Sequence, residues 1–377
     1  MTRAEAGDAR RFAVAAALCF VVLVNAVAWW GRGRLASPAG DSWSPEIRAE
    51  SPPLARYDAG WYRTIAHHGY VWDGAAGEGN VAFFPLFPLL MRWTARFGIS
   101  LLWAGLLLAH ACFLASAVLF WRLASLDGGP IEARDRFLAF LAFPWSFFLL
   151  APYTESLFLT LVLAAWLAAL HRKWALVAVF GLLAGFTRLF AVALTAGLVA
   201  LLWERGDLAA PRQRWRALGA ALAPAAGCAA FFAWLAVRFS DPLIFLHAQA
   251  RGWKRRPGLA GLWEVLGAVA GNVREGALWN LGPAMDSAVL LLLLLAVAFA
   301  LWRRRMGEAA YTASAALIVA ASGQLASIGR YAVVLFPVFA LLAAGIHRTA
   351  IRIPFLLTCA LLQIYMIVRF VNEIWVA

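Results

Sequence analysis

Residues 12–30 read FAVAAALCFVVLVNAVAWW, an apolar run that contains no charged side chain. A helix of about 20 apolar residues crosses the hydrocarbon core of a bilayer. The run follows Arg3, Arg10 and Arg11, so a secretory signal peptide is an alternative interpretation. Because the run is long and no small-residue cleavage site clearly follows it, we expect a retained membrane anchor.

Composition extends this expectation to the whole chain. Hydrophobic residues make up 63% of the sequence and charged residues only 14%, whereas about a quarter of the residues in a soluble domain are charged. Water therefore solvates only the loops, and the sequence predicts an all-α polytopic protein of the lipid bilayer. The four cysteines each lie in an apolar run without metal-ligand spacing, so we expect them to serve packing and predict neither a metal nor a cofactor.

The formal net charge of +13 constrains the orientation of the chain. Such a charge on a soluble protein is typical of nucleic-acid binding, but in membrane proteins arginine and lysine gather in cytoplasmic loops. We therefore expect no nucleic-acid partner. Arginine far outnumbers lysine, which suggests a GC-rich genome and therefore favours a bacterial protein of the plasma membrane. The clusters predicted to be cytoplasmic are the N-terminus, 171–173, 205–216, 303–305 and 348–352.

Two stretches are interpreted as hairpins of short helices. One long helix over 174–203 would place the next basic cluster outside, whereas two helices turning near Arg188 keep both neighbouring clusters inside. Residues 137–170 contain Pro144 and Pro152, which each remove a helical hydrogen-bond donor, so a turn is expected at 152–155. The total is roughly 11 spans, and the remaining ones are predicted at 101–123, 217–239, 287–302, 309–321, 332–346 and 353–371.

The loop 31–100 is the first long extracytoplasmic segment under this threading. Ser51 and the two prolines after it predict a helix start, and Gly69 predicts the helix end. The residues between them are rich in aromatic side chains, as expected for a helix that lies in the membrane interface. A second interfacial helix is predicted around 83–90. The segment 240–285 is expected to be another outer loop.

Asp58 is the most informative residue of the first loop. It stands among Tyr57, Trp61 and Tyr62 in a helix expected at the lipid boundary. A carboxylate that is partly desolvated there is a stronger base than one in water. A merely floating amphipathic helix accounts well for the aromatic residues but less well for this acid, so Asp58 is the first candidate for a catalytic role.

Six segments of the chain together form a specific pattern: YDA at 57–59, IAHHGY at 65–70, EGNVAFFP at 78–85, PWSFFL at 144–149, YTESLF at 153–158 and TR at 187–188. In order and spacing they resemble the PIG-V family, which comprises GPI mannosyltransferase 2 and its bacterial relatives and has the GT-C membrane fold. The chain departs from the eukaryotic members at Gly60-Trp61, where they carry Glu-His. Arg330-Tyr331 is a weaker match, and the specific resemblance lies in the first half of the chain.

The resemblance implies a single GT-C-like domain over residues 1–377. It also implies transfer of mannose from a polyprenyl or dolichyl phosphate donor to a glycan, glycolipid or protein acceptor, with inversion and without a metal, at the extracytoplasmic face. Asp58 would then deprotonate the acceptor hydroxyl. The departing lipid phosphate needs cationic partners, and the planar fork of an arginine suits phosphate.

The other candidate residues each have a competing structural interpretation. Arg188 is the first choice for phosphate, and a structural ion pair with Glu155 is its alternative. Glu155 itself is interpreted as a ligand of a sugar hydroxyl or as the residue that orients Arg188. Tyr153 is a candidate for stacking on the sugar, with a place in the aromatic belt as its alternative. Lys254 and Arg255 are candidates for binding phosphate, with binding of anionic lipid as their alternative. Arg330 and His68 are further candidates for phosphate, and Glu78 is a second acid without an assigned step.

Two other classes of protein compete with the enzyme. A transporter or lipid flippase also needs buried charges and broken helices, but it favours two similar halves with ionisable groups near the membrane midplane. Here the unusual charges fall on one predicted face and no halves are visible, so the enzyme is preferred. A non-catalytic scaffold would tolerate the loss of Asp58.

Overall fold

The computed structural model describes residues 3–36, 51–74, 78–209, 211–274 and 281–376, with the backbone alone at Asp127 and at some positions next to the gaps. The chain forms two compact units. Unit 1 comprises Met1–Arg63, Phe87–Leu163 and Val338–Val376, and unit 2 comprises Thr64–Leu86 and Ala164–Pro337. Each unit is therefore assembled from segments that are distant in sequence.

Helices dominate the described residues, which confirms the all-α prediction. The strands in the described part of the chain are β1 (Trp72–Asp73) and β2 (Glu78–Gly79), which pair antiparallel. The helices are α1 Arg3–Gly31, α2 Asp58–His68, α3 Leu86–Ala95, α4 Leu101–Asp127, α5 Pro130–Ala142, α6 Glu155–Leu170, α7 Trp174–Gly185, α8 Ala191–Glu204, α9 Pro211–Phe239, α10 Ile244–Gly252, α11 Leu259–Arg274, α12 Leu281–Trp302, α13 Met306–Ala320, α14 Ile328–Ala332, α15 Val338–Gly345 and α16 Thr349–Val371.

Five helices within the described ranges are long and apolar enough to cross a membrane: α1, α4, α9, α12 and α16. Five further apolar helices among the described residues are shorter. They include α7 and α8, which form the hairpin predicted at 174–203, and α6, the second helix of the hairpin predicted at 137–170. Helices α7 and α8 flank the turn that carries Arg188. Pro144 and Pro152 lie in the irregular segment between α5 and α6, where a short 3₁₀ turn covers Ser146–Leu149. Proline and charge thus located both turns correctly.

Several boundaries differ from the sequence expectation. Helix α2 begins at Asp58, because Tyr57 has φ of +48° and ends the turns that follow Ser51. The second interfacial helix, α3, begins three residues later than predicted, at Leu86. The helix predicted at 332–346 is shorter than expected, since α15 begins at Val338, and the separate helix α14 ends at Ala332. The predicted outer loop 240–285 contains α10 and α11.

Unit 1 is held together by aromatic packing and by a hydrogen-bonded ion pair. Helix α1 packs against α4 and α16, and α5 packs against α4, α15 and α16. The rings of Phe120 and Phe140 stack at 4.7 Å, and Phe339 meets both edge-on. Asp135 on α5 accepts a 2.8 Å hydrogen bond from Arg352 on α16. These contacts join the C-terminal helix to the first half of the chain.

Unit 2 contains a very close helix pair, α7 and α9. A Cβ atom added to Gly185 would lie 2.3 Å from the carbonyl oxygen of Pro224, and one added to Gly227 would lie 2.4 Å from that of Leu182. Small residues allow such an approach of backbones, which is a common way for helices to associate in membranes. Because α7 ends at Gly185, this contact also determines where the turn with Arg188 begins.

Candidate functional site

Asp58 is the first residue of α2 and is half-buried. An acidic side chain in the first turn interacts favourably with the positive end of the helix dipole. Tyr62, one turn further along, is buried, and its hydroxyl lies 3.3 Å from Oγ1 of Thr154. The turn before α6 therefore holds the start of α2 in place.

Arg56 anchors the backbone that leads into Asp58. Its side chain is buried, and it donates hydrogen bonds to the carbonyl oxygens of Ala55 at 2.8 Å and Val371 at 3.3 Å. Nε lies 3.8 Å from Oε1 of Glu373. Burial lowers the pKa of Arg56, opposed by the charge of Glu373, but a guanidinium remains protonated in proteins. The residues after α16 thus form part of the support of Asp58.

Tyr57 adds to the same support. Its ring packs 5.5 Å from that of Phe370 and meets the edge of Trp375 at 4.9 Å. The left-handed φ of +48° is uncommon for a bulky residue and persists only where packing enforces it. Burial raises the pKa of Tyr57, and Glu373 raises it further. The aromatic contacts therefore fix the angle at which the chain enters α2.

Tyr153 and Glu155 lie in the same unit as Asp58. Tyr153 is 1% exposed, and its hydroxyl donates a 2.8 Å hydrogen bond to the carbonyl oxygen of Arg56. Its ring is therefore buried rather than placed in an aromatic belt. Glu155 is also 1% exposed and begins α6, as Asp58 begins α2. Two acids at helix starts thus lie in unit 1.

In unit 2, the segment after α2 is organised by Asn80. Its Oδ1 accepts a hydrogen bond from the backbone of Val71, and its Nδ2 donates to the carbonyl oxygen of Gly69, both at 3.0 Å. Gly69 has φ of +82°, as predicted for a helix end. His68 is exposed and contacts His67. The backbone of Glu78 pairs with Asp73, but its side chain lies outside the described part of the structure.

The main charged feature of unit 2 is the arginine cluster, formed by Arg188, Arg255 and Arg330. All three surround the ring of Tyr331. Nη2 of Arg255 donates to the Tyr331 hydroxyl at 3.0 Å, and the guanidinium carbons of Arg188 and Arg330 lie 5.2 Å and 5.4 Å from the ring centroid. Arg188 and Arg330 are buried. The structure thus unites three predicted phosphate ligands.

The backbone that carries Arg255 is held by the loop after α13. Nε2 of Gln324 donates to the carbonyl oxygens of Trp253 and Lys254, each at 3.2 Å. The backbone N–H of Arg256 donates to the carbonyl oxygen of Ser322 at 3.1 Å. The side chain of Lys254 is exposed, so within the described residues it is Arg255 that joins the cluster.

The sequence alone assigns no role to Arg56 or Tyr331, although both residues contact candidate residues in the structure. The position of Arg56 directly before Tyr57 and Asp58 is a feature of the sequence that could have drawn attention to it. For Tyr331, the corresponding feature is its position beside Arg330 in the weaker motif match. Their roles depend on partners more than 70 positions away in the sequence, Val371 for Arg56 and Arg255 for Tyr331.

The fold and these residues define a helical membrane protein with an acid at a supported helix start and a buried arginine cluster. The chain is similar to GPI alpha-1,6-mannosyltransferase 2 from Rattus norvegicus and Mus musculus, with 36% identity over 147 residues to each. Identity to the protein of that name from Cricetulus griseus is 35% over the same length. This similarity confirms the family resemblance seen in the motifs.

The similarity is local. It covers 35% of this chain and 28% of each of these relatives. No family model and no solved structure matches the chain.

Proposed function

We propose that the chain is a membrane glycosyltransferase that transfers mannose from a polyprenyl or dolichyl phosphate donor. The observation that carries the proposal is the arginine cluster, because three guanidinium groups around one buried phenol suit an anionic ligand. The names of the relatives support mannose as the sugar. The family resemblance supports the lipid phosphate as its carrier.

In the proposed reaction, Asp58 accepts the proton of the acceptor hydroxyl as the acceptor oxygen attacks the anomeric carbon. The bond between that carbon and the phosphate oxygen breaks, and its electron pair leaves with the lipid phosphate. Attack opposite the leaving group inverts the anomeric centre. The phosphate gains negative charge during this step, so guanidinium groups that bind it stabilise the transition state more than the bound donor.

The proposal places this reaction at the extracytoplasmic face of a bacterial plasma membrane, with a cytoplasmic N-terminus. The distribution of basic clusters supports the orientation, and the excess of arginine over lysine supports a bacterial membrane. The acceptor is proposed to be a glycan, a glycolipid or a protein, and no metal or cofactor is required by the chemistry assigned to Asp58 and the arginine cluster.

The proposed function is tested with the wild type and an Asp58→Asn variant in lipid nanodiscs. Radiolabelled polyprenyl-phosphate-mannose serves as donor, a membrane extract supplies the acceptor, and the released polyprenyl phosphate is measured. Loss of a general base costs about 10²- to 10⁴-fold in rate. Asp73→Asn is the matched control, because Asp73 is an exposed acid of the same loop, and it is expected to retain wild-type turnover.

Equal turnover by the wild type and a folded Asp58→Asn variant would refute the assignment of the base. Absence of turnover by the wild type with every polyprenyl-linked sugar would contradict the enzyme and favour a transporter or flippase.

A further inference from the structure

The Tyr331 hydroxyl has hydrogen-bonding capacity that its neighbours leave unused. It accepts a hydrogen bond from Arg255 at 3.0 Å, and no residue in the described ranges accepts its own proton. Nε of Arg255 is also buried and has no hydrogen-bond partner among the described residues. Buried donors without an acceptor are rare in folded proteins. Two of them on one contacting pair indicate a ligand that supplies acceptor oxygens.

The surrounding charges make the phenol a strong hydrogen-bond donor. Burial alone would raise the pKa of Tyr331, but the positive charges of Arg255, Arg330 and Arg188 outweigh it and lower the pKa to about 8. A donor of this acidity remains protonated at neutral pH. Because the second pKa of a phosphate monoester is about 6, the proton stays on the phenol when phosphate is the acceptor.

We propose that Tyr331 is a catalytic residue that donates a hydrogen bond from its hydroxyl to a non-bridging oxygen of the lipid phosphate. Nε–H of Arg255 donates to a second oxygen of the same group. This inference rests on the proposed function, and it adds the Tyr331 hydroxyl to the arginine side chains that contact the leaving phosphate. The hydrogen bond strengthens as the phosphate acquires charge, so it contributes to kcat rather than to donor binding alone.

Tyr331→Phe separates this role from packing. The substitution removes the hydroxyl and keeps the ring that packs 4.9 Å from Phe190 and lies beside Arg188. Tyr311→Phe is the matched control, because Tyr311 is a buried tyrosine of unit 2 whose hydroxyl donates to the backbone of Val334 at 3.1 Å. A purely structural hydroxyl at Tyr331 would make the two variants behave alike.

The first measurement is the pH dependence of turnover in nanodiscs. The kcat/KM of the wild type is expected to decline above pH about 8 as the phenol loses its proton. Tyr331→Phe is expected to lower kcat about 10²-fold, as for the loss of one donor to a developing oxyanion, with little change in donor KM and without the alkaline decline. Wild-type kcat and an unchanged pH profile in Tyr331→Phe would overturn the inference.

Other titratable groups near α14 require controls. The charged groups that face the phenol are Arg188 from the turn before α8, Arg255 from the segment before α11, and Arg330 from α14 itself. Helix α12 packs against α14 and carries Asp286, and Tyr311 lies on α13. Asp286→Asn and Tyr311→Phe are both expected to keep the alkaline decline. If the alkaline decline of kcat/KM disappeared in either of these variants and persisted in Tyr331→Phe, the inference would also be overturned.

A binding measurement separates failure of the inference from failure of the proposed function. Turnover lost in Asp58→Asn but unchanged in Tyr331→Phe leaves the glycosyltransferase intact and removes Tyr331 from its mechanism. Absence of turnover in the wild type removes the proposed function. In that case farnesyl phosphate, added from solution, is expected to bind the wild type about tenfold more tightly than Tyr331→Phe, in line with the loss of one charge-assisted hydrogen bond. Equal affinity would contradict the phosphate contact.

Discussion

The contact between α7 and α9 allows a sharp test of how packing positions the arginine cluster. Gly227 on α9 lies against Gly185, the last residue of α7, and Arg188 follows three positions later. Sγ of Cys228 lies 3.4 Å from the carbonyl oxygen of Gly185 and 3.6 Å from that of Arg188. A residue larger than glycine at position 227 must therefore displace the turn that carries Arg188.

The size of the effect follows from the distances. A Cβ at position 227 would lie 2.4 Å from the oxygen of Leu182 and 2.9 Å from Cα of Gly185, and both are backbone atoms that cannot rotate away. The helices must separate by roughly 1 Å, and overpacking of this kind costs about 3 kcal/mol, the upper end of its usual range. Because a displacement of 1 Å lowers catalysis by up to about 10²-fold, kcat/KM is expected to fall by 10- to 100-fold.

Gly219→Ala on the same helix is the control, since a Cβ there meets no atom within 4 Å. Alanine replaces glycine in an exposed helical position with a gain of about 0.5–1 kcal/mol. Both variants are compared by reversible denaturant unfolding in mixed micelles and by donor turnover in nanodiscs. The expected result is lower stability and lower kcat/KM for Gly227→Ala alone. Equal stability and turnover of the two variants would refute the reasoning from close packing.

Two further predictions concern unit 1. Asp135→Asn removes one member of an ion pair in which the Asp135 side chain is 3% exposed and that of Arg352 is 26% exposed. Breaking a buried pair costs about 3–5 kcal/mol, and the exposure of Arg352 reduces the expected loss to about 2 kcal/mol in the same unfolding assay. An unchanged free energy of unfolding would show that the ion pair between α5 and α16 does not contribute to the stability of the protein. Arg56→Met is expected to lower kcat at least tenfold with little change in donor KM, because the substitution releases the backbone before Asp58 and leaves the arginine cluster unchanged. Arg56→Lys is expected to restore kcat in part. Initial rates in nanodiscs measure both constants. A rise in donor KM at unchanged kcat would contradict this role of Arg56.

Local signals in the sequence were sufficient for the long apolar helices and for both hairpin turns. Apolar runs predicted α1, α4, α9, α12 and α16, because burial of a helix in lipid depends on length and hydropathy alone. Pro152 and Arg188 located their turns, because proline removes a backbone donor wherever it stands and charge is expensive inside a bilayer. The family motifs placed Asp58 and Arg188 among the candidates before any contact was known.

Tertiary structure alone decided what those candidates touch. The start of α2 moved from Ser51 to Asp58 because Phe370 and Trp375, more than 300 positions later, hold Tyr57 in a left-handed conformation. Arg188, Arg255 and Arg330 meet at Tyr331 only because the turn between α7 and α8, the segment before α11, and helix α14 fold together in unit 2. Hydropathy specifies which residues enter the membrane, but it carries no information about which helices adjoin. Side-chain packing and hydrogen bonds between distant segments make that choice.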